Sequence, residues 1–177
     1  IGGGEIVHTA FAGIDFAGTA AISITSFAFG RSNKGDEFAD RTTGDYHIQL
    51  TTTPDPDLNT SDGDWNTIGT INIDSNDFPN TYRHEYILNS PQNATGIRIV
   101  PPYGVAIDEI EVYGDGGEPQ APQFAPVDEG GGAGVGNLAV AGTAFANGTL
   151  AGRSVGSLND ETSGDASAWI GATPDSF

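Results

Sequence analysis

The sequence predicts an all-β protein, an antiparallel β-sandwich, on three observations. Short segments rich in β-branched and aromatic residues recur from Phe11 to Tyr113, each bounded by Gly, Pro, Asn or Asp. Tyr46, Ile48 and Leu50 alternate with His47 and Gln49, the period of a sheet with one wet face. No segment carries a sustained helical period.

Taken in order, the strand-like segments are 10–16, 22–30, 45–53, 65–73, 81–89, 96–101 and 106–113, with a further one at 168–172. The stretch from Pro54 to Gly63 is a long polar connection between two strands. Pro101 and Pro102 end the strand ahead of them, because proline has no N–H to give to a ladder. Ile107, Ile110 and Val112 fall on one face only if a bulge or register shift intervenes near Asp108 and Glu109, since their spacing slips by one residue.

At Gly114 the character of the chain changes. Residues 115–136 hold Pro119, Pro122, Pro126 and a glycine-rich run, and so read as a linker, semi-extended in its first half and flexible in its second. Residues 137–177 resume β-like sequence with mostly small side chains, too short to fold without a partner surface. The chain thus divides into 1–114, a linker at 115–136 and 137–177.

Charge and composition restrict the partners. With 24 acidic residues against 6 basic ones, the formal charge is -18. That excess repels polyanions, since phosphate binding rests on Lys and Arg, so nucleic acid is not expected as a partner. The acids offer hard oxygen ligands of the kind calcium takes. Nothing approaches the ~18 consecutive apolar residues of a membrane-spanning helix, and no membrane insertion is expected. The chain has neither Cys nor Met, which removes disulfides, thiol nucleophiles and oxidisable sulfur, and fits an exposed, oxidising setting.

Catalytic patterns do not assemble. Gly152-Arg153-Ser154-Val155-Gly156 matches Gly-x-Ser-x-Gly, but His8, His47 and His84 all precede the serine and no helix follows it. The histidines lack zinc-site spacing. A carboxylate pair for glycoside hydrolysis is uninformative among so many acids, and Asp108, Glu109 and Glu111 read as solvated. Asp55, Asp57, Asn59, Asp62 and Asp64 suggest a calcium loop, yet Thr60 and Asn66 stand where an EF-hand requires glycine and glutamate, so a turn is the better reading. Trp65 and Trp169 could stack on sugar faces, although Trp65 follows a turn and opens a strand, where a packing role is more frequent.

Some segments resemble a known family. Thr81 to Tyr86, Gly96-Ile97-Arg98-Ile99 and Ile107-Asp108-Glu109-Ile110-Glu111-Val112-Tyr113 look like the second half of discoidin-like (F5/8 type C, galactose-binding-like) domains, and Phe11 to Gly18 looks like an early strand of that family. Asn137-Leu138-Ala139, Gly142 to Ala146, Leu158-Asn159-Asp160 and Trp169-Ile170-Gly171 look like its opening, which here comes last. The resemblance implies a jelly-roll sandwich in circularly rotated order, permuted or completed by a neighbouring chain. The residues leave three origins open: one period of tandem repeats, a circular permutant, or a subunit whose last segment completes the next copy, as in donor-strand exchange. The resemblance further implies calcium near the opening loop, held by Asn159, Asp160, Thr162, Asp165 and Glu109. The function expected is a non-enzymatic, extracellular or cell-surface structural or adhesive module that assembles head-to-tail with copies of itself into a fibre or array. The alternative is a calcium-dependent carbohydrate-binding module.

Overall fold

A computed structural model describes residues 10–18, 20–30, 43–73, 84–101, 105–114, 138–147, 149, 153–159 and 169–170. Among the described residues there are ten strands: β1 (Phe11–Asp15), β2 (Ile22–Gly30), β3 (Gly44–Thr51), β4 (Asn66–Ile73), β5 (His84–Ala94), β6 (Gly96–Val100), β7 (Ala106–Ile107), β8 (Glu109–Gly114), β9 (Thr143–Asn147) and β10 (Trp169–Ile170). They form an antiparallel β-sandwich: a five-stranded sheet in the order β4-β3-β6-β1-β9, a three-stranded sheet β5-β2-β8, and a short β10-β7 pair. Among the described residues there is no α-helix; three short 3-10 turns occur at Asp62–Asp64, Leu138–Ala141 and Val155–Leu158. The expected linker at 115–136 lies outside the described residues.

Side-chain alternation sets which residues meet. Ala12 and Ile14 of β1, Ile97 and Ile99 of β6, and Tyr46, Ile48 and Leu50 of β3 point into the main core, facing Ile24, Phe27 and Phe29 of β2 and Ile110 and Val112 of β8. Phe27, Phe29, Tyr46 and Tyr86 build an aromatic stack there, with ring centroids 5.2–5.5 Å apart between Phe29 and Tyr46, Phe29 and Tyr86, and Phe27 and Tyr86.

Three features depart from the sequence expectations. The slip near Asp108 is a change of sheet, not a bulge: β7 pairs with β10 while β8 pairs with β2, and the Asp108 N–H donates to the Gly30 carbonyl at 2.8 Å. The strand expected at 81–89 runs instead as β5 to Ala94, past Pro91. β5 is a sheet edge, where proline costs no ladder bond, and its register against β2 skips between Ile87 and Gln92. A strand at Thr143–Asn147 was not expected; its small residues carry little β propensity, and it is held by a full ladder to β1.

Described residues from the stretch after Gly114 enter the core. Ala139, Leu158 and Trp169 are completely buried, and Trp169 is the largest such side chain. The Trp169 indole N–H donates to Thr149 Oγ1 at 2.9 Å, while the Asn159 amide donates to the Ala139 and Gly142 carbonyls at 2.8 and 3.1 Å. Gly142 permits this approach, for a Cβ there would run into the Asp15 carbonyl. The two ends of the undescribed connection are neighbours: a Cβ at Gly114 would sit 3.0 Å from Leu138 Cδ1. Leu158→Ala is expected to destabilise the whole protein by about 2–5 kcal/mol in urea titration, as for a leucine inside a single cooperative core. A loss under about 1 kcal/mol would show that the segment does not belong to that core.

Candidate functional site

Two places on the sandwich are built for more than generic packing. The first is the outer face of the five-stranded sheet. Because Ile97 and Ile99 point inward, Arg98 between them points outward, yet its side chain is only 1% exposed. Its neighbours in register are Gly13 on β1 and Gln49 on β3, and Gly13 is in turn opposite Phe145 on β9. Arg98 Nε donates to Gln49 Oε1 at 2.6 Å, and Gln49 Nε2 passes the chain on to Thr67 Oγ1 at 2.9 Å.

The remaining contacts of the guanidinium come from the polar connection after β3 and from aromatic faces. Arg98 Nη2 lies 2.7 Å from Asp62 Oδ1, and the Asp62 side chain is 59% exposed. The guanidinium carbon sits 4.7 Å from the Trp65 ring centroid and 4.9 Å from that of Phe11. Burial pulls the Arg98 pKa down, and the hydrogen bond and charge of Asp62 oppose it. Phe145 closes the group, 6.2 Å from Phe11 edge-on and 6.0 Å from Trp65. Its ring fills the notch over Gly13, where an added Cβ would come within 2.6–2.8 Å of it. Phe11, Trp65, Val100 and Phe145 thereby form a second small core.

The second place is a groove of about 470 Å³ between β4 and β5, each an edge strand of its sheet among the described residues. Ile68, Ile71 and Leu88 supply apolar walls; Glu85 and Gln92 supply polar groups, and among the described residues no Lys, Arg or His lines it. Glu85 Oε1 accepts a hydrogen bond from Ser26 Oγ at 2.6 Å. The buried Tyr86 hydroxyl has no hydrogen-bond partner among the described residues, and burial pushes its pKa up to about 12. The volume is in the range of small-ligand sites, roughly 300–1,000 Å³.

The residues singled out from the sequence are distributed otherwise. Trp169 is wholly buried and Trp65 is 7% exposed, so the structure gives both rings packing roles, with Trp169 presenting no face to a ligand. Glu109 opens β8 and is buried, and Asn159 directly follows the 3-10 turn Val155–Leu158, which packs against β8. Asp160, Thr162 and Asp165 lie outside the described residues. Among the described residues no three His, Asp or Glu side chains converge as a metal cage. Asp108, Glu109 and Glu111, expected to be solvated, are 2%, 1% and 8% exposed, because the post-linker turns pack on β8 and the chain changes sheet at Asp108. In the acidic loop, Asp57 accepts hydrogen bonds from Asn59 and Thr60 and Asp62 holds Arg98, which accounts for these carboxylates as turn and anchor groups.

The chain matches no family model, and no curated protein and no solved structure is similar to it.

The Tyr86 hydroxyl yields a prediction with a definite sign. Its neutral form is favoured by the fold, so its contribution is complete below the ordinary tyrosine value near 10 and is lost as the pH rises through about 12. Tyr86→Phe is expected to leave stability at pH 7 within about 1 kcal/mol of the parent, since it removes a buried unpaired hydroxyl. It is also expected to reduce the stability lost between about pH 10 and 12 by roughly 1–2 kcal/mol. Urea titrations at the three pH values check both.

Proposed function

We propose that this chain is a non-enzymatic, extracellular structural or adhesive module that joins copies of itself head-to-tail. The observation that carries the reading is the position of the post-linker segment. Strand β9, Leu158 and Trp169 complete a sandwich whose other strands precede residue 115, and they are joined to it by roughly 20 residues whose ends touch. The contacts that close one molecule are equally available between two, because a segment exchanged between copies keeps every contact and changes only its donor. The rotated order of the discoidin-like motifs supports the same picture of a unit designed to continue into another.

A connection of roughly 20 residues gives the chain's own segment an effective concentration on the order of mM, so single molecules dominate in dilute solution and exchange takes over only in crowded conditions. Refolding from urea at chain concentrations from about 1 μM to about 1 mM is expected to give globules at the low end and rows of linked globules at the high end. Light scattering and negative-stain microscopy read the outcome, and isolated globules at every concentration would overturn the proposal.

The groove favours a second reading, carbohydrate binding. Aliphatic walls beside a carboxylate and an amide, with no cation among the described lining residues, suit a neutral polyhydroxylated ligand. Calcium belongs to this reading as an expectation, with Glu109 and Asn159 on adjoining elements. A glycan array probed with and without chelator is expected to show binding that Gln92→Ala weakens by about tenfold, the worth of one hydrogen bond. An intact fold that binds no glycan in either condition removes this reading.

A further inference from the structure

The outer-face cluster has an asymmetry in its membership. Phe11, Trp65, Val100 and Arg98 all precede the linker, and Phe145 alone follows it. Without Phe145, the remaining members describe a socket. Gly13 leaves a notch in β1, Phe11 and Trp65 form its walls, and the guanidinium of Arg98 lies against both rings. Alongside it runs the backbone edge of β1, which β9 pairs over five residues from Phe11↔Asn147 to Asp15↔Thr143. A ladder of that length with one aromatic at its centre specifies register, since a slip of one residue would turn Phe145 into the main core and Ala144 or Ala146 onto the notch.

One wall of the socket is held from the solvent side. Trp65 ends the turn that starts at Ser61, with its N–H donating to the Asp62 carbonyl at 3.3 Å, and Thr51 Oγ1 ties the same turn to β3 through the Asp64 carbonyl at 2.8 Å. Asp62 anchors the turn to Arg98 from an exposed position. That ion pair is the turn's link to Arg98, beside the Trp65 ring that packs on Phe145.

We infer that the β1 edge and the Phe11–Gly13–Arg98–Trp65 socket form the acceptor site for residues 143–147 of a second copy of this chain, and that the Asp62–Arg98 pair is the latch on it. The occupant is fixed by the structure itself, because this segment already seats there with its aromatic in the notch and its ladder complete. The inference rests on the head-to-tail reading and adds where the copies join and what controls release.

The absence of cysteine from the chain makes a direct test available. Asp15 and Thr143 are paired in register at the open end of the ladder, and paired residues in an antiparallel sheet have Cα separations of about 4.5–5.5 Å, within disulfide range. One population of the full chain carries Asp15→Cys and another Thr143→Cys; they are mixed, refolded at about 1 mM and oxidised. A single chain carrying both substitutions must cross-link within itself, which certifies fold and geometry. The expected result is a disulfide dimer between the two populations, formed at least fivefold faster from native protein when both also carry Asp62→Asn. If the chains assemble by light scattering but no cross-link forms, copies join through another surface and the acceptor site is overturned while the head-to-tail reading stands. If the doubly substituted chain closes on itself and nothing assembles at any concentration, both fall. A cross-link whose rate ignores Asp62→Asn overturns the latch.

Discussion

Everything in this structure depends on the burial of Trp169, Leu158 and Ala139 beneath strands that come before the linker. A tryptophan buries roughly 150–250 Å², which at about 25 cal/mol per Å² is worth some 4–6 kcal/mol. The net stability of a whole domain is only about 5–15 kcal/mol. One side chain from the last segment therefore rivals the margin of the entire sandwich, before the β1–β9 ladder is considered. Residues 10–114 carry most of the strands, yet they leave a sheet edge unpaired and a tryptophan-sized space unfilled. A sandwich that needs its completing piece delivered along a tether is one whose state responds to what else is nearby.

The outer-face cluster shows how a charge can be placed under such a segment without undoing it. A buried guanidinium is tolerable only if its donors are used and its charge is met. Gln49 takes Nε, Asp62 takes Nη2, and two aromatic faces cover the plane. Arginine suits this position because its flat, weakly hydrated group both stacks and hydrogen-bonds, which a lysine could not do. The arrangement also ties three separate pieces of chain, β3, the Ser61 turn and β6, to the spot where β9 arrives. Phe145 thus docks on a surface already rigid, so that the entropy cost of ordering falls mainly on the incoming strand.

Much of this architecture was legible in the amino-acid order, and its failures have physical causes. The strand-like segments at 22–30 and 45–53 correspond to strands observed at Ile22–Gly30 and Gly44–Thr51, because both are long and rich in β-branched and aromatic residues. Thr143–Asn147 gave no such pattern: alanine and asparagine do not ask for a strand, and only the waiting edge of β1 makes one. The acids at 108, 109 and 111 looked solvated because local sequence cannot show that turns from thirty residues further on will pack over them. The groove was invisible for a similar reason. Which strands become sheet edges is a property of topology, and Tyr86 reads from its neighbours as an ordinary inward-facing aromatic. Sugar stacking was one reading of the two tryptophans and packing the more frequent one for Trp65, and their size makes them the side chains a small core gains most from burying.

Charge sets the terms on which copies could meet. A chain with formal charge -18 repels its own kind, and over the Debye length of about 8 Å at physiological salt that repulsion acts mainly at close approach. Non-specific sticking through the open β4 and β5 edges is thereby discouraged, as exposed edges otherwise invite. A segment passed between molecules, as proposed, adds little charge of its own at the point of contact. It carries a short strand with no charged side chain, Thr143–Asn147, into a neighbour whose acceptor socket holds a buried cation, so the two bodies need not press face to face. On the proposed reading, the acidity that keeps globules apart leaves exchange of this uncharged strand as a route of contact with little added repulsion, and added salt lowers what repulsion remains.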